Sequence, residues 1–572
     1  MLNESERINK DPKSPTKGIL WRFISLNWVA FAYTLLFGVI ANVFTILIPI
    51  SISKYYSILF ETNSNRAFIL DVFPGSWVNA LPNFLWFFLG LIFCWMFFTF
   101  LQRFNTGLLG EKFVRSIRES LFAHQMTIQM TSYDATGFGK YLLRYSGDMT
   151  SIRNYLTVGI IRFIIDLLLV ILAFIAMFWI NWMLSFIVLG GIIIIYLTVI
   201  VINKTLYKVT LTNRNRKSGL LSFVSSRLPL VISIKGFNRQ TVEVNNFNAR
   251  SRKIYKMGVR FQWVYNLVGV IVPGMLYLTL FAILITIYYY KLSAVNLHME
   301  QLLGFILLFI TVLPVFRRLI RVSSIWKVGE ISFEKLQSVF NLKKDPNLLD
   351  APNFRYKRGN IEFKNVTFAY SDDTGNVLDD FELQIEGSKV NIVCQSSGLP
   401  KSTMIKLIVG IYSPNIGTIK IDGQKVNRVN PKSLKRRISI LSEDFPLLGD
   451  TVFEASAYNT SEVNRTQLQV LLDDIQKDLS EETKITLDYK IGERGRKLTE
   501  HQRQIVFCLR CFMTNKPIVL IENFSKYESN PAFGRMCETL KMFAQKNKTI
   551  VLFESKYINL LEDLKPIIHE LS

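Results

Sequence analysis

The sequence predicts a multi-domain membrane protein, in which a six-helix transmembrane domain is followed by an α/β domain with a phosphate-binding loop. Half of the 572 residues are hydrophobic, and the mean hydropathy is +0.25. Residues 1–340 contain 34 Lys and Arg against 14 Asp and Glu, whereas residues 341–572 contain 33 and 30. The first part is therefore apolar and basic, and the second has the charge balance of a water-soluble domain.

This composition excludes several classes of protein. A disordered chain would be polar, and a secreted disulfide scaffold would contain far more than five cysteines. A soluble nucleic-acid-binding protein would explain the formal net charge of +23 but not the hydropathy. We therefore expect no nucleic-acid partner.

Runs without a formal charge locate the predicted spans, at residues 23–53, 72–102, 167–203 and 261–290. A hydrocarbon core of about 30 Å requires roughly 20 apolar residues, so each run is long enough to cross it. The run 167–203 is too long for one helix, and Asn181 and Trp182 predict a turn between spans 155–180 and 183–203. A sixth span begins near Asn296 and ends near Phe316.

Loop charges predict the orientation of this domain. The segment 103–153 contains seven basic residues and four acidic ones, and 204–260 contains 13 basic residues and one acid, Glu243. Because basic loops remain in the cytoplasm, both segments and both termini are predicted to be cytoplasmic. Their periodicity predicts helical extensions over about 103–154 and 204–260.

The boundaries follow from these patterns. Residues 1–22 are predicted to form a cytoplasmic N-terminal segment without a cleaved signal peptide. The transmembrane domain covers 23–330, a linker covers 331–358, and the α/β domain covers 359–572. Arg162 and Asp166, four residues apart in the third span, indicate either a water-filled cavity or a buried pair, and we favour a structural pair.

A phosphate-binding loop is predicted after the strand 389–393, where residues 395–403 read QSSGLPKST and an apolar helix follows. Such a loop binds phosphate through backbone N–H groups and a helix N-terminus, with lysine on the terminal phosphates and a hydroxyl on Mg²⁺. Gly398, Lys401 and Ser402 fit that pattern. Gln395 and Pro400 replace two of its glycines, and proline offers no N–H.

The order of further motifs resembles the nucleotide-binding domain of ATP-binding cassette (ABC) transporters. These motifs are VTFAY at 366–370, ILSED at 440–444, GERG at 492–495, LTEHQRQ at 498–504, PIVLIEN at 517–523 and TIVLF at 549–553. Residues 132–148 and 226–237 resemble the two cytoplasmic loops of ABC exporters. Six spans followed by one cassette match an exporter-type half-transporter with a P-loop-type ABC cassette.

This resemblance implies ATP and Mg²⁺ as ligands and gives several positions a role. Tyr370 corresponds to the aromatic residue that stacks on adenine, and Ser402 to the metal ligand. The implied cofactor-binding residues are Tyr370, Gly398, Lys401, Ser402, Thr403, Thr499 and Gln502. The last two belong to the signature segment, which in this family faces the nucleotide of the partner cassette.

Departures from the family pattern lie at the positions that perform hydrolysis. Asn523 replaces the glutamate that polarises water, and an amide is a poor general base. Glu522 replaces the Walker B aspartate, Glu443 the glutamine-loop residue, and Ser555 the switch histidine. The signature segment has no glycine, and Glu500 would repel phosphate. We therefore predict no catalytic residue and no ATP hydrolysis by this chain alone, with ATP and Mg²⁺ as weak or vestigial ligands.

The predicted function is that of the catalytically degenerate subunit of a heterodimeric exporter for a peptide or an amphipathic small molecule. Its partners would be the lipid bilayer, in a bacterial cell membrane, and a second, more intact half-transporter, or otherwise a second copy of itself. The alternative is an ATPase-silent membrane receptor, immunity factor or scaffold of a peptide-processing complex built on the exporter fold.

Overall fold

The structure is a computed structural model, and it describes residues 15–60, 73–78, 80–136, 141, 143–145, 147–292, 299–345, 351–371, 375–394, 400–458, 464–554 and 559–571. The chain forms two compact units. The first contains Met1–Thr127 and Thr136–Leu342, and the second contains Ile128–Ala135 and Lys343–Ser572.

The described residues of the first unit form helices joined by short turns, with no strand among them. Its helices are α1 (Pro15–Leu26), α2 (Trp28–Leu59), α3 (Gly75–Val78), α4 (Leu81–Gln125), α6 (Gly147–Asn154), α7 (Phe163–Ile180), α8 (Trp182–Arg227), α9 (Val231–Gly236), α10 (Gln240–Leu292) and α11 (Met299–Phe340), while α5 (Met130–Thr136) belongs mainly to the second unit. Short 3₁₀ turns cover Leu143–Tyr145 and Leu228–Leu230, and a π-helical segment, Tyr155–Arg162, joins α6 to α7.

Among the described residues, six helices are long and apolar enough to cross a membrane, which confirms the predicted number of spans. They are Trp28–Leu59, Leu81–Gln125, Gly147–Ile180, Trp182–Ile202, Gln240–Tyr289 and Leu302–Phe340. The predicted turn is present, because the Asn181 side chain accepts hydrogen bonds from Met183 N and Leu184 N, both at 3.1 Å, and so begins α8.

The helices are longer than the uncharged runs that located the spans. Helices α4, α8 and α10 continue well beyond their apolar runs, so the basic segments after residues 103 and 204 are largely helical. Helix α11 ends at Phe340, and the first ten residues of the predicted linker, 331–340, are therefore helical. Linker composition did not reveal this, because polar residues on an amphipathic helix and in a loop are similar.

The predicted pair between Arg162 and Asp166 is wrong, because Asp166 pairs with a different arginine. Asp166 instead accepts two hydrogen bonds from Arg318 on α11, from Nε and Nη2, both at 2.8 Å. The i, i+4 rule assumes a regular α-helix, whereas Arg162 ends the π-helical segment.

The buried core of the first unit and its apolar exterior suit a membrane. Phe84, Leu308 and Phe309 are buried between the helices, while Trp86 and Val201 are more than two thirds exposed. Large exposed apolar side chains in such numbers are rare on water-soluble proteins and normal on lipid-facing helices.

The second unit contains two sheets with helices around them. Its strands are β1 (Ile361–Phe368), β2 (Leu378–Ile385), β3 (Val390–Cys394), β4 (Ile416–Ile421), β5 (Gln424–Lys425), β6 (Ile438–Leu441), β7 (Ile518–Glu522), β8 (Thr549–Glu554) and β9 (Ile567–Glu570). Its longer helices are α12 (Lys401–Ile408), α13 (Pro431–Lys435), α14 (Val452–Ala457), α15 (Arg465–Ile475), α16 (Glu500–Phe512) and α17 (Phe533–Ala544).

The two sheets differ in strand direction. The order β2-β1-β4-β5 is antiparallel, and the order β6-β7-β8-β3-β9 is parallel. Strand β3 ends at Cys394, at the carboxyl edge of the parallel sheet, and α12 begins at Lys401. Ligands of α/β sheets bind at that edge, where helix N-termini and strand ends meet.

Candidate nucleotide site

Three strand ends form the floor of the candidate site. Cys394 at the end of β3 pairs with Glu554 at the end of β8, and Glu522 at the end of β7 pairs with Phe553. Each residue pair lies on adjacent parallel strands, so Glu522, Asn523 and Glu554 share one edge with the N-terminus of α12. This is the geometry expected of a phosphate-binding loop and a Walker B strand.

Lys401 is held by the residue that replaces the catalytic glutamate. Its Nζ donates a 2.6 Å hydrogen bond to Asn523 Oδ1. Asn523 adopts a left-handed conformation with φ of 50°, and its N–H donates to Phe553 O at 3.0 Å, so its position is fixed by the backbone. The Asn523 amide is a neutral acceptor and adds no negative charge beside Lys401, whose positive charge is suited to phosphate.

Oxygen donors converge beside the first turn of α12. Hydrogen bonding by Lys406 lowers the pKa of the Asp444 carboxyl, and Ser402 adds a smaller lowering through its own hydrogen bond. The Lys406 Nζ lies 2.6 Å from Asp444 Oδ2. Burial raises the pKa of Glu522, which accepts a hydrogen bond from Ser442 and feels the charge of Asp444.

These donors are chemically suited to Mg²⁺. One hydroxyl, Ser402, and two carboxylates, Asp444 and Glu522, are the hard oxygen ligands that Mg²⁺ prefers, together with water and phosphate. No cluster of three His, Cys, Asp or Glu side chains with metal-binding geometry occurs among the described residues. The residues therefore fit a metal bound jointly with a phosphate more closely than a metal bound by protein alone.

Tyr370 is half-buried, and its ring packs edge-on against two neighbours. The ring centroids lie 5.0 Å from Phe368 and 5.2 Å from Tyr412, with interplanar angles of 77° and 89°. Its hydroxyl shares a 2.8 Å hydrogen bond with Thr403 Oγ1, and Thr403 is buried. Tyr370 is thus positioned next to α12, and Thr403, a residue of that helix, is engaged inside the domain.

Glu443 forms an ion pair that the sequence did not reveal. Its carboxylate lies 2.9 Å from Nζ of Lys526, in the turn after Asn523, and both side chains are about half exposed. An exposed pair contributes little stability. The effect of the pair is electrostatic: Lys526 neutralises the negative charge of Glu443, the residue that replaces the family's glutamine.

Glu554 is the most deeply buried acid of the site. It is fully buried, and its carboxylate accepts hydrogen bonds from Phe524 N at 2.5 Å, Ser525 N at 3.4 Å and Ser525 Oγ at 2.7 Å. Burial raises the pKa of this carboxyl, and these hydrogen bonds oppose the rise. The end of β8 thereby fixes the chain immediately after the Walker B position.

Thr499 and Gln502 begin helix α16 as a capping box. The Thr499 N–H donates to Gln502 Oε1 at 3.0 Å, and the Gln502 N–H donates to Thr499 Oγ1 at 3.3 Å. Gln502 also donates to Thr483 O at 3.2 Å. Their side chains have a structural role in this chain, and their predicted role toward a partner's nucleotide stays a prediction.

Two predicted positions, Gly398 and Ser555, lie outside the described residues. Of the others, the structure brings Lys401, Ser402, Thr403, Tyr370, Glu443, Glu522 and Asn523 to one region of the second unit, and Thr499 and Gln502 to the start of α16. Sequence reasoning missed Asp444, Lys526 and Glu554. A signal existed for Asp444 alone, an acid beside the glutamine-loop position.

Comparison with family models identifies both units. Residues 31–314 match the model described as the ABC transporter transmembrane region, and residues 378–524 match the model described as ABC transporter. The second match includes the candidate site from Lys401 to Asn523. It implies that the ligands of this site are ATP and Mg²⁺.

Individual relatives are distant but cover most of the chain. An ATP-dependent lipid A-core flippase from Wigglesworthia glossinidia brevipalpis is 24% identical over 429 residues, 74% of this chain and 73% of the relative. The uncharacterized ABC transporter ATP-binding protein YwjA of Bacillus subtilis is 25% identical over 466 residues, 78% and 77%. The solved structure of a bacterial Atm1-family ABC exporter with ATP bound has a TM-score of 0.78 at 19% identity, covering 95% of each chain. The last likeness shows the fold.

Proposed function

Because this chain belongs to the ABC transporter family, as an exporter-type integral membrane protein, we propose that it is the catalytically degenerate half of a heterodimeric exporter. The observation that carries the proposal is the contact between Lys401 and Asn523. At the end of β7, where a carboxylate would polarise the attacking water, the chain holds an amide that is already hydrogen-bonded to lysine. An amide does not accept the proton of water at neutral pH.

ATP binding without turnover is the expected state of this site. Lys401 supplies a positive charge for the phosphates, and α12 supplies the N-terminal end of a helix. Ser402, Asp444 and Glu522 would hold Mg²⁺, which when bound screens the charge of the phosphates. Tyr370 would offer the exposed part of its ring to the adenine.

An amphipathic substrate is preferred over a peptide. The relatives described as lipid A-core flippases act on a lipid by name, and the helices of the first unit expose a large apolar surface. The partner would be a half-transporter with an intact Walker B glutamate, since this chain lacks one.

The first experiment measures nucleotide binding and turnover on the full-length chain in nanodiscs. We expect a fluorescent ATP analogue to bind more tightly with Mg²⁺, with no release of inorganic phosphate. Lys401→Ala should weaken binding by at least about 10-fold, since a hydrogen bond to a charged group contributes roughly 1.5–3 kcal/mol. Lys432→Ala, an exposed lysine of α13, is the matched control. Asp444→Asn should reduce the gain produced by Mg²⁺.

The second experiment identifies the partner. Cross-linking in the native membrane should capture a different half-transporter with a complete Walker B motif, and the co-purified pair should hydrolyse ATP. Turnover by this chain alone that Lys401→Ala abolishes would refute the proposal. If the chain is cross-linked only to a second copy of itself and does not hydrolyse ATP, the alternative function as a receptor, immunity factor or scaffold would be favoured.

A further inference from the structure

Helices α8 and α10 form an antiparallel hairpin whose register is fixed by two contacts. A Cβ at Gly191 of α8 would lie 2.4 Å from Thr279 Oγ1 of α10. Towards the other end of the hairpin, Arg216 Nη1 of α8 donates to Lys253 O of α10 at 3.2 Å. Both contacts belong to one register, so the level of any residue on one helix can be found on the other.

This register locates the membrane boundary on the hairpin. The uncharged run of α8 ends at Asn203, and that of α10 begins at Phe261, with which Lys208 of α8 is level. Lys208 and Lys256 each lie about 7.5 Å beyond the end of the run on their own helix, and Arg260 lies directly before Phe261. Headgroups extend about 5–7 Å beyond the hydrocarbon. The long side chains of these three cations can therefore reach headgroup phosphates.

Two of the cations share an exposed face of α10 with a tryptophan. Lys256, Arg260 and Trp263 are spaced four and three residues apart, which places them on one side of a helix. All three side chains are exposed, Trp263 to 68%. The other side of α10, with Ile254 and Phe261, is half-buried. Trp263 begins the apolar part of this face, at the level where tryptophan is enriched in membrane proteins.

The chain supplies no counter-charge for these cations among its described residues. Lys208, Lys256 and Arg260 form no ion pair there. The segment 204–260 contains 13 basic residues and one acid, Glu243, which lies 3.1 Å from Arg227. The negative charge that balances this face must therefore come from outside the chain.

The orientation of the chain does not by itself account for this arrangement. It requires basic residues on one side of the membrane, but not on one helix face above an exposed tryptophan. A nucleic acid or an acidic protein would not require the cations to lie at headgroup level. Anionic lipids meet both conditions, because their phosphates lie at that level and attract each nearby Lys or Arg.

We propose that the face of α10 formed by Lys256, Arg260 and Trp263, with Lys208 of α8 at the same level, binds anionic phospholipids of the leaflet predicted to be cytoplasmic. The cations contact headgroup phosphates, and the Trp263 ring packs beside the adjoining part of the acyl chains. The lipid is a component of the surrounding membrane and not an exported molecule. Its binding requires neither nucleotide nor a partner half-transporter, so this proposal and the proposed function can fail separately.

The test identifies the lipid next to this face by photo-crosslinking. Val259 lies between Lys256 and Arg260 on the same exposed side, and p-benzoylphenylalanine replaces it in the full-length chain. The chain is reconstituted in bilayers with equal amounts of phosphatidylglycerol and phosphatidylcholine, and mass spectrometry measures the ratio of the two lipids in the adducts. We expect phosphatidylglycerol to be enriched, and less so at high salt, because salt screens exposed charges. Equal labelling of both lipids would overturn the proposal.

Variants locate the site. Lys256→Gln and Arg260→Gln should each lower the enrichment by up to about 5-fold, as expected for loss of one cation beside an anionic surface. Lys256→Arg keeps the charge and should retain the enrichment. Lys217→Gln removes a charge from an exposed position of α8 about 20 Å beyond Asn203 and should change nothing. An equal loss in all three glutamine variants, or no loss at 256 and 260, would refute the assignment.

Other occupants of the face would give different results. Single-stranded RNA or glycerol phosphate added to the outside of the bilayers should leave the lipid ratio unchanged. If RNA abolishes the enrichment, the face binds nucleic acid, and if glycerol phosphate does so, it binds free phosphate; either result would overturn the lipid proposal. Adducts with a second protein chain in place of lipid would show that protein covers the face, which would also overturn it.

Discussion

Replacement of Glu554 by alanine tests how the end of β8 fixes the loop that follows Asn523. The carboxylate is fully buried and accepts hydrogen bonds from Phe524 N, Ser525 N and Ser525 Oγ. Glu554→Ala removes the acceptor of all three donors and leaves a small cavity. We expect the loop to open more readily while the sheet remains intact.

The magnitude follows from the contacts. A buried donor without an acceptor costs about 1–3 kcal/mol, and the Phe524 N–H becomes such a donor. Burial of the carboxylate is itself unfavourable, as its raised pKa shows, and its removal offsets part of the loss. A net change of about 2 kcal/mol in the free energy of local opening remains, which corresponds to roughly a 30-fold change in the opening equilibrium.

Hydrogen–deuterium exchange of the full-length chain measures this quantity directly. Peptides that cover residues 522–528 should exchange about 30-fold faster in Glu554→Ala, because exchange follows local opening. Peptides that cover β4 serve as the internal reference and should be unchanged. Unaltered exchange over 522–528 would refute the reasoning, and faster exchange throughout the second unit would show global destabilisation in place of local opening.

We also predict that the contribution of Glu554 to stability depends on pH. Burial raises the folded-state pKa of Glu554 above its ordinary value of 4.5. Its contribution to stability is therefore fully present below about pH 4.5 and is lost as the pH rises through the raised pKa. Glu554→Gln does not ionise, so the melting temperature of the wild type relative to this variant should decline from acidic to neutral pH. A constant difference would contradict the assigned shift.

Three further predictions concern single contacts. Asn523→Asp places a carboxylate on Lys401 and should lower ATP affinity several-fold in the binding assay, because the new anion competes with phosphate; a gain in affinity would contradict this. Asp166→Asn breaks the bidentate pair with Arg318 and should destabilise the first unit by about 2 kcal/mol. This is less than the loss of a fully buried pair would cost, because Arg318 is partly exposed. A lower melting temperature in detergent would show the effect. Thr499→Ala removes the cap of α16 and should cost about 1 kcal/mol, with no change in nucleotide binding by the isolated chain.

Much of the fold follows from local sequence patterns. Uncharged runs longer than 20 residues located the first five spans, since a bilayer imposes length directly. Asn181 and Trp182 marked the break between two spans, and the structure adds that the Asn181 side chain caps the second helix. Helix ends outside the bilayer could not be predicted equally well. Helix α11 reaches Phe340 because packing, and not composition, decides where an amphipathic helix stops.

Sequence patterns predicted the site residues whose positions depend on local structure, but not the contacts between residues far apart in the chain. Lys401 and Ser402 begin a helix after a strand, so their place follows from local structure. The partner of Asp166 lies 152 residues away on α11, and that of Glu443 lies 83 residues away. Such pairs depend on tertiary packing, and i, i+4 spacing gave the wrong partner for Asp166.

Two altered positions of the second unit, Glu443 and Asn523, each contact a lysine, and this determines what a reversion would do. Glu443 pairs with Lys526, and Lys401 with Asn523. Glu443→Gln alone would leave Lys526 without its carboxylate, and Asn523→Glu alone would set a carboxylate against Lys401 rather than against water. The first reversion thus breaks an ion pair, and the second creates one that holds the new carboxylate away from water. Hydrolysis would therefore require coordinated changes at several of these positions. A single substitution would not restore activity to this cassette, because the substituted residues form stable contacts within its fold.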